Sequence, residues 1–98
     1  MWRQGDVLIS AVEAIPPGAT CLPHCVLAEG EVTGHSHRVE GVGVADLLAD
    51  GEERFLRVNA STVRIVHQEH GTITLPRGLY RVWQQREYTP EAIRTVRD

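Results

Sequence analysis

The chain predicts an all-β fold: one small antiparallel barrel or sandwich over residues 1–98, with residues 88–98 as a short C-terminal helical tail. Three observations carry this expectation. Glycine and proline, 9 and 5 in 98 residues, break the sequence at short intervals, as closely spaced turns do in barrels and sandwiches. The segments between them hold valine, isoleucine and threonine, whose branched side chains suit a pleated surface. Several alternate apolar and polar residues, the period of a half-buried strand.

Asp6–Val12 reads as the first strand, ended by Ile15-Pro16-Pro17-Gly18. Cys25–Glu29 reads as a second and Glu31–Val39 as a third. Alternation puts His35 and His37 on one face of the third strand. Gly34 and Ser36 fall on its other face, where small residues allow close approach or a bend. Val42–Leu48 and Arg54–Val58 flank Asp50-Gly51, a pair that accepts positive φ and signals a hairpin. Thr62–His67 turns Val63, Ile65 and His67 to one side, Arg64 and Val66 to the other. Gly71–Leu75 leads into Pro76-Arg77-Gly78, which reads as a turn because proline fixes φ and glycine accepts the left-handed position. Leu79–Glu87 is the longest expected strand. Thr89-Pro90-Glu91 then offers a cap, a first-turn proline and an acid for a helix through Val96.

A chain of this length buries only a modest core, so a metal clip or homo-oligomerisation would add needed stability. A net charge of −3 gives no overall attraction to nucleic acid, which speaks against a nucleic-acid-binding barrel built on Arg64, Arg81, Arg86 and Trp83. All 10 Lys+Arg residues are arginine, which excludes Schiff-base and other lysine-nucleophile chemistry. Serine-elbow, phosphate-loop and dinucleotide fingerprints are absent. No run reaches transmembrane length and the start has no hydrophobic signal core, so the expected location is cytoplasmic, with no membrane partner. Cys21 and Cys25 lack the two-residue gap of a redox or zinc-knuckle pair. They read as reduced thiols, a disulfide, or, with His24, a separate metal site.

The strongest chemical signal is histidine. Four of 5 histidines form two close pairs, His35-Ser36-His37 and His67-Gln68-Glu69-His70. Neutral imidazole is a common ligand for zinc and suits iron and nickel as well. If both pairs meet across a sheet, His35, His37, His67 and His70 form a divalent-metal site, three as ligands and one of His67 and His70 as a helper. Zinc is the default ion; iron, manganese and nickel are the alternatives. Three ligands and a water would give a catalytic site, four a closed structural one. Glu40 or Glu69 could supply a general base or a partner for an imidazole N–H. Arg38, beside His37, could hold an anion. A second cluster, Trp83-Gln84-Gln85-Arg86-Glu87-Tyr88, gives Arg86 and Tyr88 a reading as holders of an anionic substrate, the alternative being an edge strand with cross-strand ion pairs.

Two resemblances rest on these residues. His35-Ser36-His37 with Glu40 resembles the first cupin motif, and Gly71-Thr72-Ile73-Thr74-Leu75-Pro76-Arg77-Gly78-Leu79-Tyr80-Arg81 resembles the second. Arg81 stands where the second motif places a histidine, so the likeness implies a cupin-like barrel whose third ligand has moved to His67 or His70. Arg81 then becomes a candidate substrate contact. The whole layout is similar to small uncharacterised phage and bacterial proteins. The shared residues are Gln4-Gly5-Asp6-Val7, Glu31-Val32-Thr33-Gly34-His35-Ser36-His37, the Glu69-His70-Gly71 to Leu75-Pro76 stretch and Gln85-Arg86-Glu87-Tyr88; that resemblance implies no activity. The expectation is therefore a metal-dependent hydrolase acting on a small or anionic substrate through metal-activated water. The alternative is a non-enzymatic, metal-stabilised oligomeric or partner-binding module.

Overall fold

The structure is a computed structural model and describes residues 1–29 and 34–85. Among these residues it contains eight strands and no helix: β1 (Trp2–Gln4), β2 (Val7–Ala11), β3 (Thr20–Cys21), β4 (Val26–Glu29), β5 (Ser36–Val39), β6 (Ala45–Asp50), β7 (Glu53–Val66) and β8 (Ile73–Gln84). The all-β expectation holds. The helix expected up to Val96, together with Arg86 and Tyr88, lies outside the described residues.

All described pairings are antiparallel, and they build one eight-stranded sheet along the path β1-β2-β8-β7-β5-β4, with β6 on β7 and β3 on β6. Two tight hairpins use the same device. Gln4 pairs with Val7 across Gly5-Asp6, and Asp50 pairs with Glu53 across Gly51-Glu52. Each two-residue turn opens on a glycine of positive φ, 60° at Gly5 and 63° at Gly51. Such turns twist in the sense that flanking strands require. The Asp50-Gly51 signal thus marked a real hairpin, with glycine and Glu52 as its central pair.

Two boundaries read from the sequence do not exist. Arg54–Val58 and Thr62–Val66 are parts of one strand, β7, with His67 just past its end, and Pro76-Arg77-Gly78 is not a turn but the middle of β8. Between the pairs Val58↔Gly78 and Thr62↔Pro76, three residues of β7 stand opposite Arg77 alone. This is a β-bulge, which bends and twists a strand without ending it. Its loose backbone is anchored, because Asn59 and Ala60 both donate to the Val44 carbonyl at 2.9 and 3.2 Å. The Arg77 guanidinium caps the Asn59 carbonyl at 3.0 Å. Pro76 is tolerated here because β2 pairs with β8 only from Tyr80 onward, so the missing N–H falls beside the irregular stretch.

The bend hands one edge of β7 from β6, which pairs its first half, to β5, which pairs its end. A single hydrophobic cluster fills the inside, drawing on β2, β4, β5, β6, β7 and β8. Ile9, Leu47, Leu56, Ile65, Leu75 and Val7 are its fully buried members. The sheet curls far enough for Gln4, at the β1 end of the path, to hydrogen-bond Ile65 of β7 and His37 of β5. That closure places the β1–β2 turn over the ends of β5 and β7.

Candidate metal centre

The first histidine pair enters on β5. His37 and Val39 face the core, while Arg38 between them is exposed, as strand alternation requires. The second pair enters at the end of β7, where Val63 and Ile65 point inward and His67 continues their face. The register Arg38↔Val66 and Val39↔Ile65, carried one step further, sets His37 opposite His67 and then His35 opposite Glu69. Gln68 secures that continuation: its carbonyl accepts the Ser36 N–H at 3.0 Å and its amide donates to the Gly34 carbonyl at 2.8 Å.

All four histidines meet. Ring centroids lie 4.3 Å apart for His37 and His67, 4.6 Å for His67 and His70, 5.7 Å for His35 and His67, and 5.8 Å for His37 and His70. Two imidazoles on one tetrahedral zinc, with Zn–N near 2.0–2.1 Å, place their centroids about 5 Å apart. The observed spacings bracket that value. Among the described residues no three His, Cys, Asp or Glu groups already stand in coordinating geometry. The rings are edge-on, tilted or stacked on one another instead.

The protonation pattern follows from the hydrogen bonds. Gln4 is 2% exposed, and its amide nitrogen donates to two carbonyls, of Ile65 at 2.9 Å and Gly71 at 2.8 Å. Its carbonyl oxygen therefore faces His37 Nδ1, 2.9 Å away, and can only accept. Neutral His37 then carries its proton on Nδ1 and a free lone pair on Nε2. A second partner that fixes the tautomer is the usual support of a ligating histidine. Burial, and the neighbouring His67 and His70, push the His37 imidazole below its ordinary basicity, against a weaker opposing pull from Asp6. His67 is shifted the same way by burial and by His70 and His35. Its Nδ1 accepts the Glu69 N–H at 2.9 Å, so its neutral form carries the proton on Nε2. As seated, neutral His67 has no free ring lone pair.

Of the remaining sequence candidates, Glu69 joins the cluster, its carboxylate 3.8 Å from His35 Nδ1 and exposed. Glu40 does not: Arg64 holds it at 2.6 Å on the face away from His37. Arg38 shares that outer face. Arg81 pairs with Glu53 at 3.6 Å and lies 5.1 Å from the Trp83 ring centroid. It borders a cavity of about 500 Å³ that Val7, Ala28, Trp83 and Gln84 also line. Cys21 and Cys25 are both free thiols. Cys25 donates to the Ala45 carbonyl at 3.4 Å and burial pushes its pKa up. His24 Nδ1 accepts the Val26 N–H.

The sequence reading missed the β1–β2 turn. Gly5 lies under His70, and a Cβ there would stand 2.6 Å from His70 Nε2. Asp6 Oδ1 approaches His37 Nε2 at 3.5 Å, while its other oxygen accepts from Gln84 at 2.6 Å. The only signal available in the sequence was the Gln4-Gly5-Asp6-Val7 opening, where a glycine precedes an acid at a tight turn.

A family model described as a domain of unknown function (DUF8820) matches residues 3–85. The match runs from within β1 through both histidine pairs to just past β8, and it carries neither a phage origin nor the cupin likeness. No curated protein and no solved structure matches the chain.

Proposed function

The chain belongs to the DUF8820 family, and we propose that its four-histidine cluster binds one divalent cation, zinc by preference, and uses it to activate water for hydrolysis. The convergence of His35, His37, His67 and His70 from two strand ends, with spacings of 4.3 to 5.8 Å, carries this reading. His37, His35 and His70 supply nitrogen ligands, and His67 supports them. His70 and Glu69 lie at the exposed rim; a cation held there would supply Lewis acidity to a water, and Glu69 would act as the base that takes its proton. The alternative is a metal clip without catalysis. Gln4 favours it, because one buried side chain already ties β1 to β5 and β7 beside the cluster.

One set of proteins separates these readings. Purified protein loaded with zinc is expected to retain about one ion per chain, the single-site expectation, and His35→Ala/His37→Ala to retain none. Hydrolysis of chromogenic phosphodiester and carboxylic ester probes should require zinc and fall about 100-fold or more in Glu69→Gln, the scale of a lost general base. Zinc retention with no turnover of either probe supports the clip. A wild type that holds no zinc overturns both.

A further inference from the structure

We propose that Asp6 is the anionic ligand of this metal centre, held in place by Gln84. The inference rests on the cluster being a cation site and adds a residue that neither histidine pair contains.

The geometry leaves an imbalance at His37. Gln4 fixes Nδ1 of the ring as a donor, so in neutral His37 Nε2 presents a lone pair. Facing it at 3.5 Å is a carboxylate oxygen of Asp6, which also only accepts. Two acceptors do not hold one another; either a proton on Nε2 or a bound cation satisfies both. Two ligand atoms on one tetrahedral zinc, each about 2.0–2.1 Å from it, are about 3.3 Å apart. The Nε2–Oδ1 separation is therefore close to the bite of a shared cation.

Asp6 is also positioned rather than free. Its Oδ2 accepts the Gln84 amide at 2.6 Å, and its backbone carbonyl accepts the Gln85 N–H at 2.7 Å. These bonds fasten the β1–β2 turn to the end of β8 and aim Oδ1 at His37. A carboxylate whose second oxygen is hydrogen-bonded is the ordinary form of a supported metal ligand. It also supplies charge that four neutral imidazoles lack. Gly5 completes the arrangement: without a side chain, it lets the His70 ring lie against the turn that carries Asp6.

Asp6→Asn tests this with two readouts of opposite sign. Asn keeps an oxygen for Gln84 and turns an N–H toward the His37 lone pair, so the metal-free variant should melt no lower than metal-free wild type. Its zinc affinity, measured by competition with a chromophoric chelator, should fall at least 10-fold, and its cobalt-loaded d–d spectrum should change. Gln84→Leu, which leaves the ligand but removes its support, should lose affinity by a smaller factor. Wild-type zinc affinity in Asp6→Asn overturns the assignment while leaving the histidine site intact, as does a variant that melts lower without losing zinc. If wild type itself binds no zinc, the histidine reading and this one fail together.

Discussion

His37 concentrates the physical chemistry of the site in one residue. It is 2% exposed and packed against His67 and His70. Its one fixed hydrogen bond, from Nδ1 to Gln4, is satisfied by the neutral ring. Protonation would place a cation in a desolvated space beside two further imidazoles, and those two causes lower its pKa against the opposing influence of Asp6. The sign of the consequence is fixed by linkage. A histidine whose folded pKa lies below its unfolded value, about 6.5, binds more protons when unfolded, so stability rises with pH across that window. The contribution is fully present above the unfolded value and is lost as pH falls through the window towards the folded one. His67, lowered by burial and by His70 and His35, adds in the same direction. Metal-free protein is therefore expected to melt progressively lower as pH drops from 7 to 5, and His37→Gln, which keeps a polar side chain but cannot charge, should flatten that dependence. A profile equally steep in the variant would show that other groups set it.

At the scale of the strand, the bulge in β7 decides where the second histidine pair points. Leu56 and Val58 face the core, and so do Val63 and Ile65, although the step from Val58 to Val63 is odd and strict alternation would put them on opposite faces. β8 makes the same change of phase between Leu75 and Tyr80. Sequence periodicity reads a change of phase as the end of one element and the start of another, which is why two continuous strands looked like four. What survived that error was local: the alternation within Thr62–His67 put His67 on the side of Val63 and Ile65, where its ring meets that of His37. The handoff of β7 from β6 to β5 and the closure of Gln4 onto both histidine strands depend on contacts distant in sequence, and no local pattern encodes them. Buried Gln4 in particular looks like any surface glutamine until its three partners are in place. Deleting Ala60 tests the bulge directly. With one residue fewer, Val63, Ile65 and His67 either turn outward or strain the ladder with β8. Stability of a small domain is only about 5–15 kcal/mol, so exposing two fully core-facing residues should abolish cooperative unfolding and zinc binding together. A variant with native NMR dispersion and wild-type zinc affinity would show that β7 sets its phase elsewhere.

Across the whole molecule, the cluster lies where the sheet closes on itself. The β1–β2 turn starts the path, β5 stands near its other end, and β7 forms its middle; Gln4, His37 and the second histidine pair join these three. An ion bound there would tie segments far apart in the chain, and it would bind the folded state alone, because the unfolded chain holds no preformed site. Such a ligand stabilises by mass action, by about 2.7 kcal/mol at a free concentration 100-fold above its Kd. In a domain of 60–100 residues each kcal/mol moves Tm by roughly 4–8 °C, so zinc at that excess should raise Tm by roughly 10–20 °C. Chelation should reverse the shift fully, and His35→Ala/His37→Ala should melt at one temperature with or without zinc. The size of the shift also tests the location of the ion. Zinc held by side chains on one surface loop could bind as tightly, but that loop could keep it after the sheet opened, and the melting point would then barely move. A large, chelator-reversible shift requires that the ligands separate when the sheet unfolds, as they must if they come from β5, the end of β7 and the turn between β1 and β2.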